Sequence, residues 1–146
     1  MENFRHQEAN LLHKLNGIAG VTTPYYYLAR GNNSKTNWHL EDMNFASCNL
    51  LHYGDPKLWN IISPNMSSYF ENCVAREIGI PLEEAIHNLR HKSLSIDEEF
   101  FQKYSIKLQK MTQNEGEMVI GKFKGLNYFL MITSIYIFSN FFFSCT

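Results

Sequence analysis

Between residues 21 and 62 the chain alternates short runs of β-branched and aromatic residues with turn-forming clusters, and this spacing constrains its fold more than any other feature. Residues 21–28, 36–41, 45–53 and 58–62 have the composition of strands. Gly31-Asn32-Asn33-Ser34 separates the first two runs and Gly54-Asp55-Pro56 the last two, residues that supply positive φ, a fixed φ and local side-chain hydrogen bonds. Strands this short bury a face by packing sheet on sheet, so the pattern predicts a barrel or sandwich.

The pattern changes beyond Ser63-Pro64. Met66, Tyr69, Phe70, Cys73, Val74 and Ile78 recur at helical spacing until Gly79. Pro81 ahead of Glu83 and Glu84, and Ser95 ahead of Asp97-Glu98-Glu99, are start signals for two further helices. Met118-Val119-Ile120 reads as the opening of a buried strand. Upstream, Leu11, Leu12 and Leu15 among polar residues fit a short helix over 4–15 that Gly17 ends. The expected division is a helical lead-in over 1–20, one β-rich domain over 21–120, and a divergent aromatic tail over 121–146, uncharged from 126 onward.

A chain of 146 residues is long enough for one hydrophobic core. Its 13 Lys+Arg against 14 Asp+Glu leave a net charge of -1, without the basic footprint of direct nucleic-acid binding. Cys48, Cys73 and Cys145 are too irregularly spaced for a disulfide framework, which points to a reducing compartment. The start, Met1-Glu2-Asn3-Phe4-Arg5-His6, has no apolar run of a secretory leader. The stretch 126–145 is long enough to span a bilayer and follows Lys122 and Lys124, but Asn127, Thr133 and Asn140 dilute it, so membrane insertion ranks below other readings.

Three groups of residues carry candidate chemistry. In Trp38-His39-Leu40-Glu41-Asp42 an imidazole and a carboxylate stand two apart, a spacing that on a strand puts both on one face, where they could share a metal ion. As an isolated pair His-x-Glu is common by chance. Tyr25 and Tyr27 alternate in the same way and so share a face, as two core tyrosines also would. Lys57, after Gly-Asp-Pro, is by itself an ordinary solvated turn lysine.

Their context is more specific. Thr23-Pro24-Tyr25-Tyr26-Tyr27, the stretch from Asn37 to Met43, the stretch from Asn49 to Trp59, Leu89-Arg90-His91-Lys92 and the run from Lys103 to Ile120 follow one another in an order and spacing that resembles the JmjC domain of Fe(II)- and 2-oxoglutarate-dependent trimethyl-lysine demethylases. The resemblance covers about residues 20–120. It implies a mainly β fold with inserted helices: a partial double-stranded β-helix, the jelly-roll or cupin-like JmjC barrel. It also implies oxidative N-demethylation of methylated histone lysine, with a histone tail peptide and chromatin as partners and a nuclear location. By the same resemblance His39 and Glu41 are two ligands of an Fe(II) facial triad. Lys57 meets the distal carboxylate of 2-oxoglutarate with Asn49 beside it, Tyr25 and Tyr27 belong to the methyl-ammonium cage, and Lys92 is a basic catalytic residue.

The chain departs from this pattern toward its end. No histidine follows His91, and where the family carries its distal histidine and closing strands the chain reads Gly121-Lys122-Phe123-Lys124-Gly125-Leu126-Asn127-Tyr128. The third iron ligand and the second half of the barrel are therefore expected to be missing. His91 matches the histidine of a zinc site found beside the cleft in some relatives, but Ala85 stands where that site has a cysteine. The reading is a demethylase fragment, inactive as this chain. The alternatives are a non-catalytic chromatin-interaction remnant and, below it, a tail-anchored membrane protein.

Overall fold

A computed structural model of the chain describes residues 18, 23, 25–29, 34–41, 46–121, 128–133 and 136–143. The expected helix over 4–15 lies outside the described residues. The strands are β1 (Tyr25–Ala29), β2 (Ser34–His39), β3 (Ala46–Gly54), β4 (Lys57–Ile62), β5 (Leu108–Gln113), β6 (Met118–Gly121), β7 (Tyr128–Thr133) and β8 (Tyr136–Phe143). Between β4 and β5 lie α1 (Ser67–Ile78), α2 (Leu82–Arg90) and α3 (Glu98–Lys103).

The strands form two four-stranded sheets, in the orders β1-β8-β3-β6 and β2-β7-β4-β5, with every pair antiparallel. Along the chain β1 to β4 alternate between the sheets and β5 to β8 alternate back, the winding of a jelly roll. No pairing among the described residues joins the two sheets, so the fold is a partial, open double-stranded β-helix, mainly β with inserted helices, as the sequence implies. The tail plays a larger part in it than its divergent sequence announces. Its β7 inserts between β2 and β4, and its β8 between β1 and β3. An uncharged run of β-branched and aromatic residues suits strands with neighbours on both sides. No described helix is long and apolar enough to cross a membrane, and the stretch weighed as a span contributes these two strands.

Hairpin and helix ends follow local chemistry. Gly54 closes β3 at φ 118°, a conformation that excludes side chains. Helix α1 stops at Gly79, which sits at φ 69° with its N–H bonded to the Ala75 carbonyl at 3.0 Å. A Cβ there would meet nothing within 4 Å, so the cost of Gly79→Ala is conformational alone. That variant is expected to lose about 1–2 kcal/mol in urea unfolding. Asp97 caps α3 by accepting from the Phe100 N–H at 3.1 Å.

The main core lies where the helices cover one end of the second sheet: Trp38, Leu40 and Ile62 from the sheet side meet Phe70, Val74, Leu89 and Phe101. A second cluster lies between the sheets, where Leu51 of β3 meets Trp59 of β4, flanked by Ile61, Met111 and Val119. The 118–120 run, expected to be buried, is instead part of an edge strand with Met118 and Ile120 exposed. Alternation along the strand turns Val119 toward the inter-sheet cluster and Met118 and Ile120 to the opposite face.

Candidate functional site

Directly paired residues of antiparallel strands share a face, so the register shows which side chains enter the layer between the sheets. In the second sheet Thr36 lies in one row with Met131 and Trp59, and His39 in one row with Phe129 and Ile61. Trp59 and Ile61 both belong to the inter-sheet cluster, so Thr36 and His39 face the same way although they stand three positions apart, an offset that simple alternation would put on opposite faces. The register shift between them makes this possible: it turns His39 inward and leaves Trp38 to the helical core, against Phe70 and Phe101. The His39 ring is nearly buried, and its Nδ1 lies 2.8 Å from the Asn37 carbonyl oxygen. A carbonyl only accepts, so Nδ1 carries the proton and Nε2 keeps the lone pair that a metal would take. Glu41 follows just beyond the end of β2, half-buried.

Across the layer, Tyr25, Asn140 and Asn49 share one row of the first sheet, and Tyr27, Phe138 and Leu51 the next. Tyr25 and Tyr27 thus stand on the face of Asn49, at the rim, 48% and 43% exposed, with their rings edge-on at 6.3 Å. Tyr26 faces the other way, near His52 at 5.6 Å between ring centroids.

Lys57 bridges the sheets. It is 0% exposed, and its Nζ donates to Asn49 Oδ1 at 2.7 Å. Burial disfavours the ammonium and pushes its pKa down to about 7. The sequence reading missed the residue beneath this pair, Gln113, which is 1% exposed. Its Oε1 accepts from Trp59 Nε1 at 3.0 Å, and its Nε2 donates to the carbonyls of Asn49 and Glu117, both at 2.9 Å. Gln113 therefore fixes the Asn49 backbone and the Trp59 ring together. The available signal was Trp59 itself, two residues from Lys57 on the same face, whose buried indole N–H requires an acceptor.

Lys92 lies apart from this layer, its side chain exposed, directly after the residue that ends α2 and in a left-handed conformation at φ 58°. Its carbonyl accepts from Asn37 Nδ2 at 2.9 Å, which ties the turn to β2 two residues before His39. Ala85 is wholly buried in the helical core and offers no donor to a zinc ion. The described residues contain no group of three or more His, Cys, Asp or Glu side chains placed to hold a metal. Strand β7, paired with β2 at His39, reads Tyr-Phe-Leu-Met-Ile-Thr and has neither imidazole nor carboxylate. Lys57 and Asn49 thus set an ammonium and an amide side by side, groups able to receive a carboxylate, while the described residues contain no complete set of three metal donors.

Comparison with known proteins agrees with this geometry. The profile of the family described as "JmjC domain, hydroxylase" matches residues 26–122. Probable lysine-specific demethylase 4F of Homo sapiens is 36% identical over 104 residues, which is 70% of this chain and 16% of that protein. Lysine-specific demethylase 4B of Mus musculus is 35% identical over 103 residues, 70% of this chain and 9% of the relative. Lysine-specific demethylase 4D of Rattus norvegicus is 34% identical over 104 residues, 70% of this chain and 20% of the relative. The chain therefore spans at most a fifth of the length of these relatives. With the profile covering well over half of its residues and the jelly-roll winding in place, the chain belongs to the JmjC domain family.

Proposed function

We propose that this chain is a histone lysine demethylase fragment that retains the 2-oxoglutarate-binding half of a JmjC site and lacks turnover because its Fe(II) site is incomplete. The observation that carries the reading is Lys57, a fully buried ammonium held across the two sheets by the Asn49 amide. An ammonium removed from water is stabilised by a carboxylate that enters the same layer, which is the chemistry 2-oxoglutarate brings. His39 and Glu41 are the Fe(II) ligands in this reading, and bound metal would supply the oxidative chemistry. Tyr25 and Tyr27 form the rim against which a methylated lysine side chain of a histone tail lies, and Lys92 adds a positive charge from outside the layer. The names of the relatives support lysine demethylation as the reaction, and a histone substrate would place the chain in the nucleus. The incomplete triad favours a second role for the chain, binding a methylated peptide on chromatin without turnover.

Incubation of the chain with Fe(II), 2-oxoglutarate and a trimethylated histone peptide is expected to release no formaldehyde above an iron-free control. Losing one atom bound directly to the metal lowers metal affinity or activity by at least the ~10–100-fold typical of losing a group that only hydrogen-bonds a ligand. Sustained release that His39→Ala abolishes would overturn the claim of inactivity.

A further inference from the structure

A cleft of about 470 Å³ opens between α1, α3 and the segment that joins α2 to α3. Its floor is the flank of the main core, Val74 of α1 and Phe100 of α3, both buried. Leu94 and Ile96 of the joining segment are half-buried along it, and Ile78 of α1 stands 44% exposed. Val74 and Ile78 are one turn apart on their helix, so they form one apolar stripe. The volume lies in the range of binding clefts, and the floor is already ordered by the core beneath it.

Charge at the rim is one-sided. Lys103 of α3 pairs with Glu77 of α1 at 2.7 Å, and Tyr104 Oη donates to the same carboxylate at 2.6 Å, so the one ammonium lining the cleft is already neutralised. Asp97 uses one oxygen to accept from the Phe100 N–H at 3.1 Å, and Glu99, exposed, has no side-chain partner among the described residues. Two carboxylates without a counter-ion beside an apolar floor attract a cation that carries aliphatic surface, and they repel nucleic acid and anionic lipid. We propose that this cleft is a docking site for a basic peptide segment, one that seats an aliphatic side chain on Val74 and Phe100 and turns a lysine or arginine toward Glu99. None of the residues lining it belongs to the layer that holds Lys57, so it offers a second contact with a protein partner.

The test is fluorescence anisotropy of the full chain with a short labelled peptide in which leucine alternates with lysine and arginine. Binding is expected, and it should weaken as salt is raised. The same peptide with glutamate in place of its basic residues, or with serine in place of leucine, is expected not to bind. Glu99→Lys and Ile78→Ser are each expected to weaken binding at least about fivefold. Glu84→Lys, which makes the same change of charge at an exposed position outside the cleft, should leave it within about twofold. Glu99 and Ile78 are exposed, so neither change removes a core side chain, and circular dichroism establishes that each variant keeps its fold. No binding, equal binding of either control peptide, or equal loss in Glu84→Lys would overturn the proposal. So would a dimer in sedimentation that Ile78→Ser dissociates, which would assign the cleft to a second copy of the chain. The assay contains neither metal nor 2-oxoglutarate, so its outcome is independent of the site between the sheets.

Discussion

Lys57→Ala is expected to abolish measurable 2-oxoglutarate binding. A charge-assisted hydrogen bond contributes ~1.5–3 kcal/mol, and a cosubstrate carboxylate left unpaired in a closed layer adds its own desolvation cost. Titration of the cosubstrate, followed by calorimetry, measures the loss; unchanged affinity would remove Lys57 from the site. The same ammonium makes both binding and stability depend on pH. Burial holds its pKa at about 7 in the folded chain, against 10.5 for a free lysine. The unfolded chain therefore binds the extra proton between these values, and stability rises as pH increases from about 7. Cys48 acts oppositely above pH 9, because burial lifts its thiol from 9.0 to about 11 and the folded chain then retains the proton. The clean window is thus pH 7 to 9, where wild type should gain stability relative to Lys57→Met, the comparison that cancels other groups. Over that window 2-oxoglutarate affinity should fall by up to about tenfold per pH unit, since the dianion requires the charged amine.

Phe70→Ala is expected to cost about 3–5 kcal/mol, a large part of the stability of a domain this size. Phe70 is wholly buried at the junction of α1, α3 and the second sheet, with ring centroids of Trp38, Phe100 and Phe101 at 6.1, 6.0 and 6.0 Å. Removing the ring leaves a cavity that three aromatic neighbours cannot close without leaving their rotamers. Trp38 immediately precedes His39, so the loosening reaches the candidate metal ligand as well. Denaturant unfolding gives the magnitude, and a cost below about 1 kcal/mol would mean that the helices are not held by this cluster.

Several elements could be read directly because their causes are local. The run from Met66 to Ile78 repeats at helical spacing and stops at a glycine, and α1 spans Ser67–Ile78 with Gly79 left-handed. Pro56 and Gly54 mark the turn between β3 and β4, and the strands begin and end within a residue or so of where composition places them. Strand β5 was not read as one, because Leu108-Gln109-Lys110-Met111-Thr112-Gln113 has a weak alternation whose apolar members meet their partners only in the assembled layer.

The candidate site divides in the same way. Sequence by itself determined which residue types are available: two tyrosines that alternate, a His-x-Glu pair, an asparagine and a lysine on consecutive strands, and no histidine after His91. It also determined the family, through the order and spacing of those residues. Only the tertiary structure decided their facing, because β2 ends at His39, Glu41 lies beyond it, and a register shift rather than simple alternation turns His39 inward. It alone set Lys57 against Asn49, brought Gln113 under both strands, and drew β7 and β8 from the aromatic tail into the two sheets. The physical reason is that a helix is specified by neighbours within a turn, whereas strand pairing and facing depend on partners far away in sequence, whose hydrogen bonds and buried surface exist only once the sheets have closed on each other.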